Sequence, residues 1–116
     1  ARLDDLLNWI PARLTGLLLV LSAALCGDDA AGAWRIFRRD RLRHASPNAG
    51  HPETAVAGAL GLRLGGPLSY GGGIQDKPWL GDGTPEAGPV HILRSLRLVH
   101  AACLMALGLA LCSFYV

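Results

Sequence analysis

The sequence predicts an all-α fold of integral membrane helices, with an amphipathic interfacial helix and a Gly/Pro-rich cytoplasmic loop. Hydrophobic residues make up 51% of the 116 residues and charged residues only 17%, which is too apolar for an ordinary soluble domain of this size. Residues 98–116 carry no formal charge and can cross a bilayer core of roughly 30 Å as one helix. Arginines accumulate between the apolar segments, which favours a cytoplasmic location for the connecting region.

These observations define a single membrane domain with three consecutive parts. Residues 1–26 are predicted to form an apolar helix with a polar end, interrupted at Pro11 because proline removes a backbone donor. Residues 27–97 form a cytoplasmic helix and loop region, and residues 98–116 form the transmembrane helix. We expect a multi-pass protein of the cell (inner) membrane. The chain does not begin with methionine, which we interpret as the sign of a fragment or processed product.

An amphipathic helix is predicted from Ala30 to about His44. Ala30, Ala33, Trp34 and Phe37 recur at helical spacing, and arginines occupy the opposite side. This pattern favours a helix that lies on the membrane surface, bound to anionic lipid, or against a partner helix. Nucleic acid is not expected as a partner, because the basic residues belong to no recognisable nucleic-acid-binding motif.

A short helix and a glycine-rich loop follow. Pro52 and Glu53 are expected to start the helix, which runs to about Leu62 and is rich in small residues that permit close backbone approach. The glycines between Gly61 and Gly83 exclude regular helix and leave a loop or short hairpin. The last helix is expected to begin near Pro89.

Three oxygen-bearing side chains lie close together near the start of the chain. Asp4, Asp5 and Asn8 fall within about one helical turn, and hard oxygen ligands of this kind suit Mg²⁺ shared with substrate phosphates. A solvated acidic first turn explains the same spacing equally well. Arg13 is either a phosphate ligand or an interfacial charge. We expect residues 6–26 to be half-buried or re-entrant, which places Asp4 and Glu53 on the same side of the membrane.

The polar turn at residues 43–53 is the first candidate for chemistry. Ser46, Asn48 and Glu53 could supply a hydroxyl, an amide and a carboxylate to one pocket, although turn formation alone explains Ser-Pro-Asn almost as well. His44 and His51 are interpreted as loop histidines.

The glycine-rich loop is the second candidate. Its paired glycines could let backbone amides approach a phosphate, although the Gly-Lys-Ser/Thr ending of a Walker A motif is missing. Lys77, the only lysine, precedes Trp79, which could pack beside a large planar ligand or simply anchor the loop.

Together these motifs resemble the CobD/CbiB family of cobalamin biosynthesis, whose members are integral membrane adenosylcobinamide-phosphate synthases. The resemblance rests on the collinear order Asp-Asp-x-x-Asn-x-Ile-Pro-Ala-Arg-Leu, Ser-Pro-Asn-Ala-Gly-x-Pro-Glu, Gly-x-Arg-Leu-Gly-Gly-Pro, Tyr-Gly-Gly and Lys-Pro-Trp-Leu-Gly. It extends from Asp4 to the last helix but covers only the C-terminal part of the family's usual length. A missing N-terminal part of the parent protein is therefore an implied partner. His51 stands where the family commonly has an aromatic residue, and Leu68 where a polar residue is usual.

The resemblance implies ATP-dependent amide formation between a propionate carboxylate of adenosylcobyric acid and aminopropanol or its phosphate. The corrinoid and the amino alcohol would be substrates, with ATP and Mg²⁺ as cofactors. Glu53 would accept the amine proton, and Ser46, Asn48 and Tyr70 would orient substrate. The metal ligands would be Asp4, Asp5 and Asn8, and the substrate or phosphate contacts would be Arg13, Arg63, Gly65, Gly66, Gly71, Gly72, Lys77 and Trp79.

Two other functions compete with this one. A polyprenyl-transferring membrane enzyme also holds magnesium and pyrophosphate with paired aspartates, but the second acid-rich motif of such enzymes does not occur here. A non-catalytic membrane scaffold or transporter subunit would use the loop only to dock a partner. That function predicts tolerance of Asp4→Ala and Glu53→Ala.

Overall fold

A computed structural model describes residues 2–115, apart from the side chains of Arg2 and Tyr70. Most of these residues are helical, as the sequence predicts. The helices are α1 (Arg2–Leu7), α2 (Trp9–Leu25), α3 (Ala30–Asp40), α4 (Gly50–Leu60) and α5 (Pro89–Tyr115), and the strands are β1 (Leu64–Gly65), β2 (Leu68–Tyr70), β3 (Gly73–Gln75) and β4 (Trp79–Leu80).

The first helical segment breaks at Asn8 rather than at Pro11. Pro11 is the third residue of α2, a position whose backbone N–H has no intrahelical acceptor, so the proline removes no helical hydrogen bond. The expected interruption at Pro11 is therefore wrong by three residues. Asn8 separates α1 from α2, and its backbone carbonyl accepts from the N–H of Ala12 at 2.9 Å.

Helices α2, α3 and α4 pack against one another and enclose the core. Gly58 of α4 lies directly against the Gly32 carbonyl of α3, where a Cβ atom would have no room. The small residues predicted to permit close approach do so at this crossing. On α3, Ile36 is buried whereas Trp34 is 43% exposed, so the expected apolar face is rotated from Trp34 toward Ile36. The helix also ends at Asp40, before the predicted limit near His44.

Helix α5 begins at Pro89 as predicted and packs along α2. Its buried residues are Leu98 and Ala102, and the following apolar side chains are largely exposed. Among residues 2–115, α5 is the one helix long and apolar enough to cross a membrane by length and composition, with a mean hydropathy of 1.9 in its most apolar window. Helix α2 is apolar but shorter. The polar start of α5 is tied to the α2–α3 turn, because Arg94 donates to the buried Asp28 carboxylate at 2.8 Å.

The glycine-rich segment forms two small antiparallel ladders, so the fold is not purely all-α. Strand β1 pairs with β4, and β2 pairs with β3 as a hairpin. Glycine makes this possible, because Gly65 and Gly66 adopt left-handed φ values of 81° and 77°. The β1–β4 ladder returns the chain to α4, where it forms one wall of a cavity.

Candidate functional site

A cavity of about 170 Å³ lies between the start of α4 and the β1–β4 ladder. The pairing of Gly65 with Trp79 brings Pro78 beside β1, and the N–H of Gly66 donates to the Pro78 carbonyl at 3.1 Å. Glu53 reaches the cavity from the first turn of α4, where a carboxylate is favoured by the helix dipole. The lining residues are His44, Ala45, Glu53, Gly65, Lys77, Pro78 and Leu80.

Glu53 and His44 form an acid–base pair in this cavity. His44 Nε2 lies 3.5 Å from Glu53 Oε2. His44 Nδ1 faces the backbone N–H of Ser46 at 2.8 Å and therefore acts as the acceptor, so a neutral ring carries its proton on Nε2, toward the carboxylate. The sequence predicts His44 only as a loop histidine. Its position two residues before Ser46 is the one sequence feature that indicates that the turn could hold the ring in place.

Arg63, Gly66 and Trp79 form a stack behind the cavity. The Arg63 guanidinium carbon lies 4.3 Å from the indole centroid of Trp79, and a Cβ atom on Gly66 would lie 2.5 Å from the same ring. Arg63 Nε is buried without a hydrogen-bond partner among the described residues. The guanidinium covers one part of the Trp79 indole, and contact of this tryptophan with a planar ligand stays a prediction.

The predicted substrate-orienting residue Ser46 makes local contacts within the turn, whereas Asn48 reaches α1. Ser46 Oγ accepts from the N–H groups of Asn48 and Ala49, both at 3.4 Å, as in an ordinary turn. Asn48 Nδ2 donates to the Asp5 carbonyl at 2.8 Å, which places α1 beside the polar turn. Asn48 Oδ1 is buried without a partner among the described residues. The side chain of Tyr70 lies outside the described residues.

The predicted metal ligands occupy adjacent positions around the α1–α2 break. Asn8 Nδ2 donates to the Asp4 carbonyl at 2.9 Å and to Asp4 Oδ1 at 3.2 Å. Two carboxylates and an amide oxygen suit Mg²⁺ in chemical type, and this number of ligands leaves positions for water or phosphate. In the part of the chain that the structure describes, no group of three or more His, Cys, Asp or Glu side chains could hold a metal ion.

The predicted phosphate contacts do not converge on one point. Gly65 and Lys77 line the cavity, whereas Gly71 and Gly72 form the exposed turn of the β2–β3 hairpin. Arg13 lies in a separate cleft of about 570 Å³ with Trp9, Leu17, Trp34, Phe37, Arg38, Arg41 and Leu42. The structure therefore divides the predicted set between the cavity, the exposed hairpin and this cleft.

A carboxylate that the sequence analysis missed holds the β4 end of the loop. Asp40 is fully buried and accepts from Arg39 Nε and Nη2 at 2.7 Å and from the Gly81 N–H at 2.8 Å. Hydrogen bonds from Arg39 keep the pKa of Asp40 below its ordinary value, against the opposing effect of burial. The position of Asp40 within a run of arginines is the only feature of the sequence that indicates an ion pair at this residue.

A second carboxylate, Asp82, pairs with the same side of α3. Arg39 and Arg35 bind it at 2.7 Å, and their hydrogen bonds lower its pKa to about 2. Arg43 Nε lies 3.3 Å from Asp40 Oδ1. Among the five arginines at positions 35, 38, 39, 41 and 43, those at 35, 39 and 43 therefore bind carboxylates. Contact of this run with anionic lipid stays a prediction.

His51 is a core residue rather than a loop residue. Its side chain is fully buried and its ring centroid lies 5.8 Å from that of Phe37. Neither ring nitrogen has a hydrogen-bond partner among the described residues, although the Pro47 carbonyl is close enough to oppose part of the pKa shift. Burial lowers the pKa of His51, with further lowering from the charges of Arg13 and Arg41. The neutral ring thus occupies the kind of site that suits an aromatic residue.

Fold and site define a mainly helical protein with a small acid–base cavity beside a glycine-rich ladder and one helix of membrane-spanning length. The chain belongs to the CobD/Cbib protein family, whose match covers residues 1–99. It is 51% identical over 109 residues to cobalamin biosynthesis protein CobD of Klebsiella pneumoniae subsp. pneumoniae, covering 94% of this chain and 34% of that relative.

Other relatives agree. The chain is 50% identical over 99 residues to CobD of Desulfotalea psychrophila, covering 85% of this chain and 30% of the relative. It is 48% identical over 109 residues to cobalamin biosynthesis protein CbiB of Salmonella typhimurium, covering 94% and 34%. It spans about a third of the length of the curated relatives that it matches. No solved structure matches it.

Proposed function

We propose that this chain is part of a membrane enzyme of cobalamin biosynthesis that joins aminopropanol, or its phosphate, to a propionate carboxylate of adenosylcobyric acid. The observation that carries the proposal is the family match together with relatives named for cobalamin biosynthesis at about 50% identity. The Glu53–His44 cavity supplies the proton acceptor that amide formation requires. We further propose a multi-pass location in the inner membrane, for which α5 supplies one span.

The cavity suits the amine side of this reaction. Its volume of about 170 Å³ is enough to admit a small three-carbon amino alcohol. Glu53 would accept the proton that the attacking amine loses, and His44 Nε2–H would hold that carboxylate in place. Lys77 would compensate the negative charge of the carboxylate or phosphate group that enters.

The ATP-dependent half of the reaction would involve residues outside the cavity. Overall, a carboxylate, an amine and ATP give an amide, ADP and phosphate; activation of the carboxylate as an acyl phosphate is a chemical inference. Asp4, Asp5 and Asn8 would hold Mg²⁺, which would neutralise phosphate charge. Arg13 and Arg63 remain proposed phosphate contacts. The Asn48–Asp5 hydrogen bond supports this arrangement, because it joins α1 to the turn that leads to Glu53.

The decisive experiment measures ATP-dependent conversion of adenosylcobyric acid to an aminopropanol-linked corrinoid by the full-length protein in detergent. Glu53→Gln is expected to reduce the rate about 100-fold or more, because the amide cannot accept a proton. Glu86→Gln is the matched control, since that glutamate is exposed and lies outside the cavity. Asp4→Ala tests the metal site separately and should raise the Mg²⁺ concentration needed for half-maximal activity, because one proposed ligand is lost.

The competing functions give different results. No conversion by correctly inserted wild-type protein, with both candidate amines supplied, would favour a scaffold or transporter subunit. Conversion that tolerates Glu53→Gln would remove the acid–base role from the cavity while leaving the pathway assignment intact.

A further inference from the structure

We propose that the cleft between α2 and the C-terminal half of α3 is a second anion site, which binds the phosphate group of a phosphate ester. Three arginines, Arg13, Arg38 and Arg41, line it together with aromatic and leucine side chains. The cleft is distinct from the Glu53 cavity. Arg13 is also a proposed phosphate contact of the ligation, so this inference rests on Arg38 and Arg41, which have no part in that reaction.

The charge balance of the cleft is the main observation. Within residues 2–115, Arg13, Arg38 and Arg41 form no salt bridge with a carboxylate, and no acidic residue lines the cleft. Other arginines of the chain do have such partners: Arg35, Arg39, Arg43, Arg94 and Arg97. Like charges that line one cleft repel one another, and a bound anion would relieve that repulsion.

The order of the arginines along α3 makes this contrast specific. Arg35 and Arg39 of α3, and Arg43 just after the helix, pair with Asp40 or Asp82. Arg38 of α3 and Arg41 just after it line the cleft beside α2, although Arg38 also borders Arg35 and Arg39. Paired and cleft-lining arginines therefore alternate within one short stretch of chain.

Aromatic rings hold the guanidinium groups in position. The Arg13 guanidinium carbon lies 3.7 Å from the Trp9 ring centroid, while Arg38 and Arg41 lie 5.8 Å from Trp34 and 5.9 Å from Phe37. Arg13 also donates to the Trp9 carbonyl at 2.9 Å, so its side chain is fixed from two directions. Planar guanidinium groups held in this way recognise phosphate oxygens through paired N–H donors.

The buried His51 behind Phe37 adds an independent observation. Both of its nitrogens lack hydrogen-bond partners among the described residues, and Arg13 and Arg41 are close enough to disfavour its protonation. The exposed side chains of Leu17 and Leu42 add apolar surface to the cleft. The cleft therefore suits a ligand that joins a phosphate group to an apolar part. A lipid headgroup and a soluble phosphate ester both meet this description.

The test measures binding to the full-length protein in detergent by calorimetry, with dioctanoyl phosphatidic acid, dioctanoyl phosphatidylcholine and glycerol 3-phosphate as probes. Arg38→Gln combined with Arg41→Gln should weaken binding of the preferred phosphate ester about tenfold or more, since charged hydrogen bonds are lost. Arg35→Gln combined with Arg43→Gln removes the same charge from the carboxylate-paired arginines and should leave binding within about twofold. Selective binding of phosphatidic acid identifies a lipid source, whereas equal binding of glycerol 3-phosphate identifies a soluble one.

Arginine labelling of the wild-type protein provides a second measurement that needs no variant. Phenylglyoxal should modify Arg38 and Arg41 more slowly when the preferred phosphate ester is present, while Arg35 and Arg43 react at unchanged rates. The proposal would be overturned if the two double variants weakened binding equally, or if the ligand protected all four arginines from phenylglyoxal equally. It would also be overturned if no anionic probe bound. None of these readouts depends on amide formation, so failure of the proposed ligation would leave the result interpretable.

Discussion

Asp40 and Glu53 are two carboxylates on either side of the polar turn, and the structure gives them opposite surroundings. Asp40 is fully buried and receives hydrogen bonds from Arg39 and from the Gly81 backbone. The Glu53 side chain is 43% exposed, has His44 as its one ion-pair partner among the described residues, and also lines an apolar groove between α2, α4 and α5. A carboxylate with saturated partners stabilises a fold, whereas one with a single titratable partner at a cavity remains free to act on a ligand.

The largest expected effect follows from removing Asp40. Asp40→Ala leaves the Gly81 N–H and part of the Arg39 guanidinium without their buried acceptor, and should lower the free energy of unfolding by about 2–4 kcal/mol. Thermal unfolding of the full-length protein in detergent measures the change. Asp82→Ala is the matched control, because it removes an exposed partner of the same arginine and should cost clearly less. Equal losses in the two variants would show that Asp40 has no special structural role.

Glu53→Gln should affect turnover rather than stability, the opposite of what is expected for Asp40→Ala. The substitution keeps the shape of a half-exposed side chain, so we expect the free energy of unfolding to change by less than about 0.5 kcal/mol while amide formation slows about 100-fold. Unfolding and turnover are measured on the same preparation. A loss of stability as large as that of Asp40→Ala would place Glu53 among the structural carboxylates.

The sequence was sufficient where local chemistry decides the structure. Pro89 starts α5, and the small residues around Gly58 mark a close helix crossing. The sequence also predicts Glu53, Gly65 and Lys77 as site residues, and all three line the cavity. The sequence does not predict the role of Asp40, because its hydrogen bond to Gly81 links residues 41 positions apart and depends on how the ladder returns to α3.

The same limit explains the division of the predicted phosphate contacts. The spacing of Arg13 and Gly71 cannot show that one lies in a cleft with α3 and the other in an exposed hairpin turn. Nor can helical periodicity alone decide between Trp34 and Ile36 as the buried side chain, because Trp34 belongs to the predicted apolar face and Ile36 lies beside it.

His51 sharpens the comparison, because its side chain is buried like that of Asp40 but its ring nitrogens have no hydrogen-bond partner in the described part of the chain. His51→Phe removes two unsatisfied nitrogens and should raise the free energy of unfolding by about 1 kcal/mol at pH 8. The folded-state pKa of His51 lies below the ordinary value of 6.5, so the unfolded chain binds the proton first and wild-type stability falls as pH decreases below about 6.5. The advantage of phenylalanine should therefore be larger at pH 5.5, as measured by thermal unfolding at both pH values. An equal advantage at both would mean that the histidine is not held neutral by burial.

The smallest effect concerns Asp82, the exposed member of the carboxylate network. Its pKa of about 2 lies below the ordinary 3.8, so its contribution to stability is present above pH 3.8 and is lost as pH falls from there toward 2. Loss of the Arg35 and Arg39 bonds should loosen the segment after β4 and expose Leu80, which is 3% exposed at neutral pH. Pepsin cleavage at Leu80, relative to the already exposed Leu68, should rise between pH 4 and pH 2. In the Asp82→Asn variant the ratio of cleavage at Leu80 to cleavage at Leu68 should be high already at pH 4 and change little further, because the amide cannot titrate. If the cleavage ratio instead rises equally in both proteins, the acid transition belongs to Asp40 alone.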